Sequence, residues 1–150
     1  MHARDEFLMV FAIALLFCVI LATAIVGAIP SDPTEGELED TAVVGDWNWQ
    51  IRAYVWGYWI WIPGTPSTYK FDEEYIEGIR HATYGVWVEG NLTLQWGYDG
   101  HNFVDTEDEI IIVKCLSVYC DHVYAQSDSW FFNWIGQHWH AYSGLAEISI

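Results

Sequence analysis

Residues 47–63 read WNWQIRAYVWGYWIWIP, which places five of the chain's ten Trp and two of its Tyr in seventeen positions. From Trp47 to Ala53 apolar and polar side chains alternate. Period two of this kind marks a strand with one face in water. After Val55 the alternation stops, and Trp56, Tyr58, Trp59, Ile60, Trp61 and Ile62 are apolar at both parities. An unbroken strand of about sixteen residues would run about 53 Å, far beyond the usual length. Gly57 is the expected place for a bulge or corner. The stretch therefore reads as two strands, or one bent strand, whose second half is covered on both faces.

The flanking sequence extends this reading. PGTPST (63–68) is a turn cluster, and FDEEYIEGIRHA (71–82) is expected to form the one short helix of this region. YGVWVE (84–89) and NLTLQWGY (91–98) flank Gly90-Asn91, a hairpin signal. YDGHN is a further turn, VDTEDE an acidic loop, and residues 109–126 carry a buried strand followed by a second. QHWHAY and LAEISI are short strands separated by Ser143-Gly144. Seven or eight short strands rich in Val, Ile, Tyr and Trp predict a mainly β domain, an antiparallel β-sandwich or jelly-roll-like fold over 46–150.

Charge and hydropathy are segregated along the chain. The net charge is −16, yet residues 7–29, FLMVFAIALLFCVILATAIVGAI, contain no charge at all. As a helix that segment would run about 35 Å, enough to cross a hydrocarbon core of about 30 Å. Residues 1–30 are thus expected to be a transmembrane-type α-helix, acting as a membrane anchor or filament core, with 31–45 an acidic linker begun by Pro30. Arg4 precedes the apolar run and no Lys or Arg follows it until Arg52. The positive-inside tendency then places the N-terminus inside and the β-domain outside. Residues 31–150 hold 19 acids against Arg52, Lys70, Arg80 and Lys114, so a nucleic acid partner is excluded for want of a basic surface. Two Lys in 150 residues, with this acid excess, point to a halophilic source.

DEFLMVFAIALL resembles the start of type IV pilins and of archaeal pilus or archaellum subunits, an acidic residue followed by an apolar helix. The resemblance is confined to this stretch. His2-Ala3-Arg4 departs from a prepilin peptidase site. Membrane-embedded structural proteins of virus particles share the same plan of one apolar helix and an external β-domain.

Candidate chemistry is sparse. Cys115 and Cys120 are expected to form a disulfide, provided a turn or bulge at 116–119 brings both to one side. Two Cys after an apolar segment also resemble the copper domain of cytochrome oxidase subunit II, but His122 follows too soon and the two Met, Met1 and Met9, both precede. His138 and His140 fall on one face of a strand, and with His122 they are the candidate Zn²⁺ or Cu²⁺ ligands. Asp105, Glu107 and Glu109 lack the Gly and distal Glu of an EF-hand loop. Asn91-Leu92-Thr93 is an N-glycosylation sequon. No nucleophile elbow, phosphate loop or dinucleotide fingerprint is present, so no cofactor is implied and the expectation is non-enzymatic.

Trp56, Tyr58, Trp59 and Trp61 are the expected interface residues, because a small β-domain covers one face of their strand and a neighbouring subunit would cover the other. The leading expectation is a non-enzymatic assembly subunit of a virion membrane or pilin-like filament, partnered by membrane lipid or neighbouring hydrophobic helices and by further copies of itself in a homo-oligomer or larger assembly, with no nucleic acid. A membrane-tethered module binding carbohydrate or protein is the alternative.

Overall fold

The computed structural model describes residues 35–150, so the expected helix over 1–30 lies outside the described residues. The described chain is mainly β, 79 % of it in antiparallel strands. The strands are β1 (Glu35–Gly45), β2 (Trp49–Ile62), β3 (Thr68–Ala82), β4 (Val86–Tyr98), β5 (His101–Glu107), β6 (Ile110–Cys120), β7 (His122–Asn133), β8 (His138–Tyr142) and β9 (Ala146–Ser149). They form two sheets. The first runs β1-β2-β3-β6 and the second β5-β4-β7-β8, with β9 also paired to β7. The pairings β3–β6 and β4–β7 join strands that are not consecutive in sequence.

The inner faces of both sheets share one core. Ile51, Ala53 and Val55 of β2 meet Leu92 and Leu94 of β4 and Phe131 of β7, all fully buried. Two polar contacts close the flanks. Asp40 Oδ2 on β1 accepts from the Glu147 backbone N–H (3.0 Å) on β9. On the other flank Arg80 donates to the Gly90 carbonyl (2.7 Å) and Ser129 Oγ (3.1 Å) across the sheets.

The stretch 47–63 is a turn followed by one continuous strand, β2, rather than two. Period two persists through Gly57, which holds an inward position. A Cβ there would lie 2.5 Å from Phe71 Cδ1 and 2.9 Å from Ile148 Cδ1. Gly57 is therefore a site of close approach and not a corner. The irregularity falls one step later, between Tyr58 and Trp59, where Asp72 of β3 is the extra residue. The inner face of 56–62 packs on the core through Gly57 and Trp59, while the outer face carries no second layer from the described residues of this chain. Its aromatic side chains are half-buried by cross-strand neighbours within their own sheet.

Three further expectations change. Residues 35–45 are the edge strand β1 rather than linker. The acidic count hid an alternation in which Leu38, Ala42 and Val44 share the inner side and Glu37, Glu39 and Thr41 the outer. FDEEYIEGIRHA is β3 rather than helix, since Glu74, Ile76 and Gly78 alternate inward with Tyr75 and Glu77 outward. VDTEDE contributes to β5 rather than forming a loop. The YDGHN turn is present: Asp99 and Gly100 carry φ of 42° and 81°, the Asp-Gly pairing that suits a tight hairpin. Gly90-Asn91 lies within β4, at a stretch where residues 90–92 have no partner on β7.

Gly57→Ala is expected to destabilise the fold by about 1–3 kcal/mol, because Phe71 and Ile148 must move from well-packed positions. Chemical denaturation checks this, and an unchanged midpoint would mean the close approach is not a constraint.

Candidate functional site

The outer face of the first sheet concentrates the chemistry. Antiparallel register places side chains in cross-strand rows on it. One row runs Glu39–Trp56–Tyr75–Lys114 and the next Glu37–Tyr58–Glu73–Leu116, from β1 through β6. A third row runs Thr41–Tyr54–Glu77–Ile112. Tyr54, Trp56 and Tyr58 are thus successive outward positions of β2, and Trp56 stacks on Tyr58 with centroids 6.5 Å apart. Tyr54 meets Tyr75 edge-on at 6.0 Å.

Carboxylates take the polar ends of these rings. Tyr54 donates to Glu39 Oε2 (2.8 Å), Trp56 Nε1 to Glu37 Oε2 (3.4 Å) and Tyr75 to Glu77 Oε2 (2.9 Å). Arg52 pairs with Glu77 at 2.5 Å, while Lys114 Nζ lies 5.8 Å over the Tyr75 ring. Burial and then the Glu39 carboxylate push the Tyr54 hydroxyl up to about 12, so it stays a donor. An open cleft of about 400 Å³ is lined by Trp56, Tyr54, Tyr75, Glu73, Lys114 and Leu116, with Glu74 at its base.

Glu74 is the unusual group. It is buried on the inner side of β3, opposite Cys115, and accepts from Cys120 Sγ (3.2 Å). Its second oxygen, Oε2, has no hydrogen-bond partner. Burial pushes its carboxyl up to about 7, and burial likewise pushes both thiols up. The expected disulfide is not formed: Cys115 and Cys120 are free thiols. The 116–119 segment does leave the regular ladder, with Ser117 and Tyr119 at φ of 58° and 55°. The Glu74 carboxyl, rather than a second sulfur, satisfies Cys120. High pKa values make these poor nucleophiles at neutral pH, since the thiolate is the reactive form.

The remaining expected residues separate. Trp59 turns inward over Gly36, whose missing Cβ leaves room for the indole, and meets Tyr69 edge-on at 5.2 Å. Trp61 is exposed near the far end of β2. Trp56 and Tyr58 alone of the four share the outer face. His138 and His140 lie on the outer face of the second sheet, each with its own carboxylate: Glu89 at 3.0 Å and Asp128 at 3.1 Å. His140 stacks on Trp130 at 4.7 Å, and His138 on Phe132 at 5.2 Å. His122 sits eight residues before Trp130 on β7, roughly 26 Å away at strand spacing, and pairs with Glu147. The three imidazoles therefore do not converge, and among the described residues no three His, Cys, Asp or Glu are grouped as metal ligands. Asn91 is exposed at the unpaired part of β4.

Sequence reasoning missed Tyr75, Glu77, Lys114 and the buried Glu74. All lie on strands read as helix or as generic β, and only β3–β6 pairing brings them beside β2. Comparison of the chain with protein-family models, curated proteins and solved structures finds no match.

Glu74 gives a pH test. Its folded carboxyl titrates above its unfolded value, so the folded state favours the neutral acid. Below the unfolded pKa both states are protonated; as pH rises through about 7 the folded state must carry a buried charge, and stability falls. Glu74→Gln is therefore expected to raise Tm at pH 8 and leave it nearly unchanged at pH 4, in matched thermal melts. Equal effects at both pH values would contradict the assignment.

Proposed function

We propose that this chain is a non-enzymatic assembly subunit, a β-sandwich of jelly-roll-like kind. Residues 1–30 anchor it in a membrane or filament core and the acidic, Trp-rich domain is displayed outside. A virion membrane protein and a pilin-like filament subunit both fit this role. The observation that carries the reading is one edge of the first sheet, with which no strand among the described residues pairs. β6 is the last strand of that sheet, and its outward side chains are Ile112, Lys114 and Leu116, with Ile112 53 % and Leu116 70 % exposed. An edge strand of this length with apolar side chains is a template for pairing with another chain. The opposite edge, β1, carries Glu35, Glu37 and Glu39, the charged type of edge that resists such pairing. The rows that carry Trp56 and Tyr75 end on β6 at Lys114, so a strand paired there would extend them across the contact. Neighbouring copies meet through β6, and the surrounding acids weaken the contact until salt screens them.

A second reading rests on the same rows. Tyr54, Trp56 and Tyr58 present successive ring faces beside carboxylates, an arrangement that can stack on sugar rings, which makes a tethered carbohydrate-binding module the alternative.

The full chain, kept in detergent, tests both. Sedimentation velocity is expected to give oligomers that strengthen between 0.1 and 1 M NaCl, as the Debye length falls from about 10 Å to about 3 Å. Ile112→Lys with Leu116→Lys is expected to return the chain to monomer while shifting stability by roughly 0.5 kcal/mol, the usual scale for exposed sites. Oligomers that survive these substitutions would assign association to the apolar segment instead. Oligosaccharide binding lost in Trp56→Ala, with association intact, would favour the carbohydrate reading.

A further inference from the structure

One end of the β-domain carries a different kind of surface. Three connections meet there: the β1–β2 turn, the β3–β4 connection and the β7–β8 turn. The Thr83 backbone N–H donates to the Asn48 carbonyl (2.8 Å), and Val86 pairs with Asn133, so the three lie side by side. Their tips are Trp47, Tyr84, Trp134 and Ile135. Trp47 and Trp134 are 81 % and 78 % exposed, Tyr84 is fully exposed, and Ile135 is more than half exposed. These values far exceed those of the sheet-face aromatics, which neighbours half-bury. None of the four belongs to the hydrophobic core.

The turns are built to hold them out. Gly45, Gly85 and Gly136 carry φ of 113°, 95° and 80°, conformations that L side chains rarely adopt. The Asn133 side chain accepts from the Gln137 backbone N–H (3.0 Å) and its amide donates to Gln137 Oε1 (2.8 Å), which closes the β7–β8 turn. Asp46 is the one charged residue in residues 45–48, 83–85 and 134–137. Its Oδ1 accepts the backbone N–H groups of Asn48 (2.7 Å) and Trp49 (3.3 Å), so it serves the turn. In a chain of net charge −16, three adjacent uncharged aromatic tips are an exception in both charge and hydropathy.

We infer that these tips dock on the surface of a neutral lipid bilayer, with Trp47, Tyr84, Trp134 and Ile135 seated in the headgroup region. Trp and Tyr favour that interface because one end of each ring system is apolar and the other hydrogen-bonds. A fluid headgroup layer closes around separate convex tips, whereas a protein partner would have to offer a matched pocket for each. The absence of Lys and Arg from the tips, together with the acid excess elsewhere, selects a zwitterionic surface over an anionic one. The tips lie at the Gly45 end of β1, roughly 35 Å along that strand from Glu35.

The test uses the full chain in amphipol, which keeps its apolar segment covered, floated on a density gradient with phosphatidylcholine vesicles. The wild-type chain is expected to float with the vesicles. A variant with Trp47→Ser, Trp134→Ser and Ile135→Ser is expected to lose at least about tenfold in vesicle affinity, since three apolar side chains leave the interface. Its thermal unfolding should stay close to wild type, because none of the three side chains belongs to the hydrophobic core. Wild-type chain that stays at the bottom, a tip variant that floats equally well, or flotation only with anionic vesicles would each overturn the inference. Anchoring by residues 1–30 is read separately, by resistance to alkaline extraction from cell membranes, so failure of the anchor and failure of the tips give different results.

Discussion

The approach of β2 to the Phe71 and Ile148 side chains at Gly57 is the constraint on which the rest of the domain depends. With no Cβ at that inward position, both side chains fill the space beneath the strand. The alternation of β2 is thereby kept in one phase from Ile51 through Gly57, with Ile51, Ala53 and Val55 held inward and Tyr54, Trp56 and Tyr58 outward. A one-residue slip would send the aromatic row into the core and the core row into water. Gly78 repeats the device on β3, where a Cβ would sit 2.8 Å from Ser127 Oγ and 3.1 Å from Leu94 Cδ1 of the second sheet. Small residues at the sheet contacts thus set the phase, and the phase sets which aromatics reach the surface.

That phase explains how an acidic chain carries so much aromatic surface. The outward Tyr and Trp are hydrogen-bond donors, and the outward acids of β1 and β3 are their acceptors. At Glu37 and Glu39 the ring donor meets the carboxylate without a cation, while Glu77 also takes Arg52, an economy that suits a domain holding only Arg52, Lys70, Arg80 and Lys114. The same logic recurs on β4, where Trp96 Nε1 donates to Asp105 at 2.6 Å. The acid excess remains uncompensated in net charge, so salt acts on both folding and association.

Much of the β architecture was legible in sequence because period two and turn chemistry are local. The half-wet character of Trp49–Ala53, the Asp99-Gly100 turn, the presence of two strands in 109–126 and the pair of C-terminal strands follow from such signals. Trp47, by contrast, belongs to the preceding turn, and the first strand of 109–126, read as buried, is the largely exposed edge β6. What was not legible depended on partners distant in sequence. β1 was hidden because its inward positions include Asp40, and β3 because a bulge and then Glu74 interrupt its inward series between Phe71 and Ile76. A carboxylate at a core position breaks the binary pattern, and only the fold supplies its reason: a thiol donor from β6 on one side and desolvation on the other. The rows that make the outer face were likewise invisible, since Trp56, Tyr75 and Lys114 become neighbours only through the β2–β3 and β3–β6 registers. The histidines misled in the opposite way. Their spacing in β8 was read correctly, but each is claimed by a carboxylate from a different strand.

The central claim is that copies of this chain meet along the β6 edge of the first sheet. Hydrogen–deuterium exchange followed by mass spectrometry, at dilute and concentrated protein in high salt, tests it directly. The account predicts that peptides covering 110–116 become protected on association, while those covering the β1 edge at 35–41 do not change. Association without added protection of 110–116, or with protection confined to 35–41, would contradict it.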